Sequence, residues 1–382
     1  MPGGSERLAI ATIECLNEMG FVVDVQTCIP LEIKNLDYYF GHSDISIRHI
    51  KHLDMLSFLL NYNNEALTND DYQYDLIINT HGDMLPYFSK TVERDNNNKK
   101  MTIFTYCHYP LLPYEVIEGK YRESLQQFIK IDNLMSSNID ILNSLYSNAY
   151  TLYDLMMINT VVFTNSKFSK RAIKQLYGNK VKAEILRPPV DVEAFRKAAL
   201  HSKEREDIII VVSRFSFDKQ IHNAIRLAKI LSDKKVGNKM IIVGSISNKE
   251  PNYYKVVSNM VNEYDLQSYI TLEVNSSFEK LLHLMVKSKV YFHCMEGEPF
   301  GISVAEGMAA GLIPVVPHVG GNSEFVPQKY HYKTIEHAAE IIENVLFNSS
   351  QKVRVKLSNS VCRLSKENYK KNLRNKIRSL NI

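Results

Sequence analysis

Two glutamates with seven residues between them, Glu298 and Glu306, have the spacing that most clearly suggests chemistry. They lie in the stretch GEPFGISVAEGMAAG, which follows a short apolar run and continues as a helical pattern. Glu298 is predicted in the loop before the helix and Glu306 inside it, so the two carboxylates could contact different parts of one extended ligand. A carboxylate that accepts hydrogen bonds from two hydroxyls suits a sugar or a ribose diol.

The predicted helix start after Gly301 is the second feature of this stretch. Free N–H groups and the positive end of the helix dipole bind anions there, and a glycine lets a ligand approach the backbone closely. Phosphate is the natural ligand of such a helix start, and Phe300, Gly301 and Ile302 are expected to be part of the binding site. A single glutamate near a helix start is more often a solvated side chain, but the whole combination after a strand favours a binding site.

Short apolar runs predict the two parallel sheets that would position these residues. The first is expected to contain residues 21–25, 74–78, 101–105 and 161–163, and the second residues 207–212, 240–243, 269–272, 290–292 and 313–316. Parallel strands need crossover helices and bind ligands beyond their carboxyl ends. The sequence therefore predicts an α/β protein with two Rossmann-like domains that face a central cleft. Pro188 and Pro189 mark the boundary, because neither a helix nor a central strand tolerates them.

The composition excludes several other classes of protein. Of the 382 residues, 45% are hydrophobic and 23% charged, which is typical of a globular protein rather than a disordered or fibrous one. The five cysteines never form a CxxC motif, so neither a disulfide framework nor a zinc site is expected. No apolar run reaches the ~18 residues of a membrane span, and no signal sequence is recognisable. We therefore expect a soluble protein of the cytoplasm.

Basic residues are concentrated near the end of the chain. Residues 352–378 carry ten bases and the single acid Glu367. Such a segment suits an anionic membrane surface or nucleic acid, although a solvated helix face is an equally good explanation. No aromatic interleaving or nucleic-acid motif accompanies it, so we expect a membrane surface and no nucleic acid as partner.

The chain resembles glycosyltransferase family 4. The paired glutamates and the stretch around them are close to the family motif, and other short motifs follow in the family's order: GGSER at 3–7, CHYP at 107–110, NSKFS at 165–169, PPVD at 188–191, SRF at 213–215 with Lys219, and GGNSE at 320–324. The resemblance implies a GT-B architecture and transfer with retention of configuration. It also implies an acceptor-binding domain over residues 1–188, a nucleotide-sugar-binding domain over 189–364, and a helix over 365–382 that returns to the first domain.

The resemblance further implies roles for four side chains and two glycines. Arg214 and Lys219, five residues apart, would reach the donor diphosphate together with the backbone at Gly3 and Gly4. Two cations beside a leaving diphosphate can stabilise its charge without a metal ion, and the sequence has no DxD metal motif. His108 would contact the transferred sugar near the reacting carbon, with Glu298. A lone histidine is more often structural, but its place after a predicted strand favours function.

The resemblance is closest to the dolichol-linked-oligosaccharide mannosyltransferase type. The expected reaction moves a hexose, with mannose favoured, from GDP-mannose or a UDP-hexose to a lipid-linked or glycan acceptor. It is expected to need no metal or other cofactor and to take place at the cytoplasmic face of a membrane. Family members have a strand before the loop that holds Gly3. We expect either a start further upstream or a first sheet without its central strand, and the first is favoured because the second would expose strand edges.

Two alternatives share the fold. A nucleotide-sugar epimerase would need no acceptor, and the paired glutamates argue against it. A non-catalytic partner subunit of a membrane glycosyltransferase would be expected to lack Glu298, Arg214 or Lys219, and all of these are present.

Overall fold

The computed structural model describes residues 3–28, 45–54, 56, 59, 74–82, 102–117, 139–200, 205–246 and 251–380. These residues divide into two compact units. The described parts of 8–187, together with residues 372–380, are called the N-terminal unit. The described parts of 3–7 and 188–371 are called the C-terminal unit. The predicted domain limits stay a prediction.

The N-terminal unit contains a two-stranded and a four-stranded sheet, both parallel. The first pairs β1 (Asp24–Thr27) with β2 (His49–His52), and the second has the order β3 (Leu76–Asn79), β4 (Thr102–Cys107), β5 (Val161–Thr164), β6 (Glu184–Ile185). The helices of this part of the chain are α1 (Gly4–Glu18, which begins in the C-terminal unit), α2 (Leu111–Ile117), α3 (Ile139–Asn159) and α4 (Lys167–Tyr177). The apolar face of α3 is buried with Val162 of β5 in one core.

The prediction of one first sheet that includes residues 21–25 was wrong. Within the described ranges β1 pairs only with β2, and it starts at Asp24 rather than Phe21. The Phe21 N–H instead bonds the Leu16 carbonyl at 3.0 Å, with Gly20 in the left-handed region at φ 86°, so Phe21 closes the end of α1. β2 was missed because all of its residues are exposed and it carries no buried apolar pattern.

The C-terminal unit contains a six-stranded parallel sheet in the order β12-β11-β10-β7-β8-β9. Its strands are β7 (Ile208–Val212), β8 (Lys239–Gly244), β9 (Ile270–Val274), β10 (Val290–Phe292), β11 (Ile313–Pro317) and β12 (His331–Tyr332). All five strands predicted for the second sheet are present, and the two-residue β12 was missed. The middle strands are apolar throughout because helices cover both faces of such a sheet.

The helices of the C-terminal unit follow the strands in alternation. They are α5 (Val192–Leu200), α6 (His222–Asp233), α7 (Pro251–Glu263), α8 (Phe278–Lys287), α9 (Ile302–Ala309), α10 (Ile335–Asn348) and α11 (Gln351–Ser360). α6 packs Ala224, Ile225 and Leu231 into the same core as the strands. This regular frame holds the loops after β7 and β10 in fixed places.

The last helix, α12 (Lys366–Arg378), runs from one unit into the other. Leu373 and Ile377, four residues apart on one face, are fully buried in the N-terminal unit. Over the described ranges, no helix has the length and the apolar character that crossing a bilayer requires.

Candidate active site

The order of the six-stranded sheet places its topological switch point between β7 and β10. The chain adds β8 and β9 on one side of β7 and then returns to add β10 on the other side. The loops after the parallel neighbours β7 and β10 therefore connect to opposite sides of the sheet. Ligands of open parallel sheets bind beyond the carboxyl ends of strands at such a switch point. The loops after β7 and β10 carry Arg214, Lys219 and Glu298.

Glu298 lies between two basic side chains in the loop after β10. Its Oε2 is 3.3 Å from Lys219 Nζ and 3.5 Å from His293 Nε2, and all three side chains are largely buried. Burial alone would raise the pKa of Glu298, but the Lys219 charge and the His293 ring outweigh it and hold that pKa well below its usual range. The Glu298 side chain is therefore an ionised carboxylate at neutral pH.

The backbone around Glu298 is fastened to the loop after β11. The Gly297 N–H bonds the Val319 carbonyl at 3.1 Å, and the Gly321 N–H bonds the Glu298 carbonyl at 2.7 Å. Gly320 adopts φ 135°, and a Cβ at that position would lie 2.9 Å from the Glu298 carbonyl oxygen. Only glycine fits here, so the place of Glu298 depends on a second loop.

Helix α9 begins directly after this loop. Its N-cap, Gly301, has φ 91° and provides no side-chain cap, so a ligand can approach the first N–H groups of the helix. A Cβ on Gly301 would come within 3.1 Å of Asn322 Cβ. Phe300 is buried and packs against Phe325, with ring centroids 5.3 Å apart. Gly301 and Ile302 stand at the start of α9, where free N–H groups can bind an anion, and Phe300 is a buried packing residue. The predicted donor contacts of all three residues stay predictions.

Glu306 lies inside α9 and is 3% exposed. Arg7 Nη1 is 2.6 Å from its Oε1, within the C-terminal unit. Burial raises the pKa of Glu306 to about 7, Arg7 acts in the opposite direction, and Asp191 adds to the rise. At neutral pH this carboxyl group is therefore close to the midpoint of its titration, in contrast to Glu298.

Of the two glycines near the start of the chain, Gly4 lies beside α9. The Gly3 N–H donates to Glu6 Oε2 at 2.7 Å, which closes the first turn of α1. A Cβ on Gly4 would lie 2.8 Å from Ile302 Cδ1, the side chain of the first residue of α9. Gly4 and Arg7 on α1 thus meet Ile302 and Glu306 on α9, and the lack of a side chain at Gly4 permits this close approach.

Arg214 and Lys219 differ in their surroundings. Lys219 is the last residue of a short 3-10 helix (Phe217–Lys219) and has 18% of its side chain exposed, in contact with Glu298, Met295 Sδ at 3.3 Å and Asp218 at 3.6 Å. Arg214 is exposed, and no ion pair joins it to any of the described acids. Arg214 is available to a bound anion, and Lys219 is already held in place.

His108 lies in the N-terminal unit directly after β4. Its Nε2 is 3.2 Å from the Thr80 carbonyl oxygen, and because a carbonyl only accepts, Nε2 carries the proton. The ring also packs against Tyr106 and His81, with centroid distances of 4.8 Å and 6.4 Å. The chain thus fixes both the orientation and the tautomer of His108.

Three of these neighbours were not predicted as site residues. His293 follows β10 directly, and its position at a strand's carboxyl end was a signal that could have identified it. Arg7 lies three residues after Gly4 inside the motif that was recognised for its glycines. His81 is the second residue after β3, whereas His108 is the first after β4, and the pairing of β3 with β4 brings the two rings together.

Residues 192–361 match the family model described as glycosyl transferases group 1. The matched range includes Arg214, Lys219, Glu298 and Glu306. The chain contains a glycosyl transferases group 1 domain. The predicted resemblance to a glycosyltransferase family is therefore confirmed, whereas the individual roles assigned to the site residues stay predictions.

Two curated relatives of this chain have the same name, GDP-Man:Man(3)GlcNAc(2)-PP-Dol alpha-1,2-mannosyltransferase. The protein of Dictyostelium discoideum is 24% identical over 289 residues, which cover 70% of this chain and 57% of the relative. The protein of Homo sapiens is 26% identical over 292 residues, with coverage of 69% and 58%. The chain thus spans less than two thirds of the length of these relatives. Their shared name confirms the predicted resemblance to the dolichol-linked type.

Solved structures show the fold of the whole chain. The Anabaena protein Alr3699/HepE in complex with UDP has a TM-score of 0.70 at 16% identity, covering 99% of this chain and 97% of its own. Sucrose-phosphate synthase (tll1590) from Thermosynechococcus elongatus has a TM-score of 0.68 at 16% identity, with coverage of 96% and 91%. Both are GT-B glycosyltransferases, so the predicted fold class, α/β of the GT-B type, is confirmed.

Proposed function

We propose that the protein is a retaining mannosyltransferase that moves mannose from GDP-mannose to a hydroxyl of a lipid-linked oligosaccharide. The observation that supports this most is the buried Lys219–Glu298–His293 cluster, which lies at the switch point of the sheet inside the glycosyl transferases group 1 domain. The names of the relatives supply the donor and the acceptor class.

The cations and the start of α9 act on the leaving group. As the bond between mannose and phosphate breaks, negative charge develops on the GDP oxygen. Lys219, Arg214 and the N–H groups after Gly301 are positive groups of the kind that stabilise such charge. Fixed groups of this kind cost little reorganisation during the reaction, and Lys219 is fixed by its contacts. The backbone at Gly3 and Gly4, which carries no side chains, would contact the diphosphate near the same helix start.

The two glutamates bind different parts of the donor. Glu298, ionised and anchored, accepts hydrogen bonds from hydroxyls of the transferred mannose, to which His108 adds a further bond. Glu306 accepts hydrogen bonds from the ribose hydroxyls of GDP. The ion pair with Arg7 keeps part of the Glu306 population ionised despite burial.

Transfer proceeds on one face of the sugar. The acceptor hydroxyl attacks the anomeric carbon from the side that GDP leaves, the carbon–oxygen bond to phosphate breaks, and the hydroxyl proton passes to the departing phosphate oxygen. The α-linkage of GDP-mannose is thereby kept, in line with the alpha product in the relatives' name. No side chain has to act as a nucleophile. Burial raises the pKa of the nearby Cys294 thiol to about 12, which keeps it protonated and unreactive.

The remaining parts of the proposal concern metal and location. Among the described residues, no group of three or more His, Cys, Asp or Glu side chains is placed to hold a metal ion. We propose that Lys219 and Arg214 take the role that a metal has elsewhere and that no other cofactor takes part. A lipid-linked acceptor requires the enzyme to reach a bilayer, so peripheral attachment to an anionic membrane at its cytoplasmic face belongs to the same proposal.

A donor screen tests the proposal. The full chain is incubated with GDP-mannose, UDP-glucose or UDP-N-acetylglucosamine and a synthetic lipid-linked Man(3)GlcNAc(2) acceptor, the acceptor class in the relatives' name. We expect an α-mannoside product from GDP-mannose alone, and none with Lys219→Ala. Release of an epimerised sugar without an acceptor would indicate an epimerase. Donor binding without turnover would indicate a non-catalytic subunit. A β-linked product would contradict retention.

A further inference from the structure

Helix α4 carries a basic face that the proposed chemistry does not use. Lys167, Lys170, Arg171 and Lys174 are spaced by three, one and three residues, so they lie on one side of the helix, and all four are exposed. The opposite side buries Ser169, Ala172 and Ile173 in the N-terminal unit. The helix is thus amphipathic, and its polar side carries these four bases and the neutral Gln175 but no acid.

The surroundings of this face contain few acids. Between Asp154 and Glu184 the sequence has six bases and no acidic residue. Among the described parts of the chain, no carboxylate forms an ion pair with any of the four exposed bases of α4. Within the described residues, therefore, no acid neutralises their positive charge, and we take this charge to face an external anionic surface.

Aromatic side chains lie at the N-terminal end of the same helix. Tyr109, next to His108, stacks on Phe168 of α4 at 5.8 Å and on Tyr114 of α2 at 5.4 Å. These three rings are only half-buried, and Leu111 beside them is 37% exposed. Aromatic rings with a polar edge favour the headgroup level of a bilayer. The basic face therefore continues into an apolar and aromatic rim next to His108.

We propose that α4 and the aromatic rim form the surface by which the N-terminal unit docks on an anionic lipid bilayer. Charge complementarity selects the partner, because the basic face meets anionic headgroups while the rim enters the interface. The choice of a membrane rests on the proposed function, since a lipid-linked acceptor is held at a bilayer. Docking at this place brings the carboxyl ends of β4 and β5, and with them His108, to the membrane surface.

The basic end of the chain is less suited to this role than its composition suggests. Arg354 is buried and donates to the carbonyls of Lys289 and Gly311. Lys370 pairs with Glu367 at 2.9 Å. On the N-terminal unit, Arg374 pairs with Glu18 at 2.8 Å, and Lys376 pairs with Glu184. At least four of its ten bases are therefore engaged in contacts within the chain.

Matched variants separate the two surfaces. The first variant is K167Q/K170Q/R171Q/K174Q. The second is K352Q/K356Q/R363Q/K371Q, which removes the same charge from exposed positions near the end of the chain. The full chain and both variants are sedimented with sucrose-loaded phosphatidylcholine vesicles, with and without phosphatidylserine, from low to physiological salt. Thermal unfolding confirms that both variants fold, as expected for exposed substitutions.

We expect the wild-type chain to bind only the vesicles that contain phosphatidylserine, and to release them as salt is raised. The α4 variant should lose roughly tenfold or more of its vesicle partition coefficient at low salt, and the second variant less than about threefold. A short-chain acceptor in detergent reports transfer without a bilayer. The α4 variant should keep wild-type activity in that assay, so a failed transfer proposal and a failed docking proposal give different results.

Four outcomes would overturn the proposal. Equal losses in both variants would show that only net charge matters, and a larger loss in the second would move docking to the end of the chain. Equal binding of neutral and anionic vesicles would remove the electrostatic basis. Binding of single-stranded RNA that depends on α4, without vesicle binding, would assign the face to a nucleic acid.

Discussion

Arg7 Nη1 lies 2.6 Å from Glu306 Oε1, which joins the first turns of the chain to the second glutamate of the motif. Because burial raises the pKa of Glu306 to about 7 against the pull of Arg7, the ionisation of this carboxyl group changes across the physiological range. Glu298, eight residues earlier, has its pKa held below the usual range. One motif thus holds one carboxylate that responds to pH and one that does not.

The first prediction is that donor affinity rises with pH through neutrality. Only ionised Glu306 accepts two hydroxyl bonds, so the KM for GDP-mannose should fall by roughly five- to tenfold between pH 6 and pH 8. The KM of Glu306→Gln should be high and independent of pH. Initial rates across that pH range give the KM of the wild type and of the variant. A wild-type KM that does not change with pH would contradict the role of Glu306.

The same shift has a consequence for stability. A carboxyl group whose folded pKa is raised from 4.5 to about 7 contributes stability below pH 4.5, and this is lost as pH rises through 7. The pKa difference of about 2.5, at roughly 1.4 kcal/mol per pKa unit, makes this loss on the order of 3 to 4 kcal/mol. Glu306→Gln should therefore unfold at a higher temperature than the wild type at pH 8, and at nearly the same temperature at pH 5.

Arg7 gives the second prediction. Without its charge the buried Glu306 is harder to ionise, so Arg7→Gln should move the midpoint of the KM profile upward by about one pH unit. Arg7→Lys keeps the charge and is the matched control, with a smaller shift. If Arg7 had a purely structural role, both variants would be less stable and the midpoint of the KM profile would not move.

The sequence could predict the parts of the site that lie close together along the chain, but not the contacts between residues that are far apart in sequence. The loop position of Glu298 and the helical position of Glu306 follow from a strand, a glycine and a helical pattern within twenty residues, and both were correct. The partners were not predictable in the same way. Lys219 lies 79 residues before Glu298, and Arg7 almost 300 before Glu306, so only the strand order and the course of α1 bring them together.

The third prediction separates the two glutamates by their kinetics. Glu298→Ala should lower kcat by about tenfold or more with a small change in GDP affinity, because it contacts the sugar whose bond breaks. Glu306→Ala should weaken GDP binding by a similar factor, because a ribose hydroxyl loses a charged acceptor worth about 1.5 to 3 kcal/mol. Calorimetry with GDP and steady-state rates give the two quantities. Equal effects of both variants on affinity and rate would show that the assignment is wrong.

The fourth prediction concerns metal ions. Because Lys219 and Arg214 stabilise the leaving diphosphate in this proposal, transfer should continue in EDTA at nearly the full rate. Lys219→Ala should lose activity that neither magnesium nor manganese restores. Complete loss in EDTA, with recovery on adding either ion to the wild-type chain, would show that a metal does this work.

The fifth prediction tests how firmly the loop after β11 holds Glu298. Gly320 and Gly297 both have positive φ, but a Cβ at Gly297 meets nothing within 4 Å, whereas at Gly320 it lies 2.9 Å from the Glu298 carbonyl. Gly297→Ala should therefore cost only backbone strain, about 1 to 2 kcal/mol of unfolding free energy.

Gly320→Ala adds a clash with backbone that has to move, so it should cost more than Gly297→Ala and also lower kcat by displacing Glu298 from Lys219. Urea unfolding and transfer rates of the two variants make the comparison. If the two variants were equally stable and equally active, the contact between the loops would not position the carboxylate.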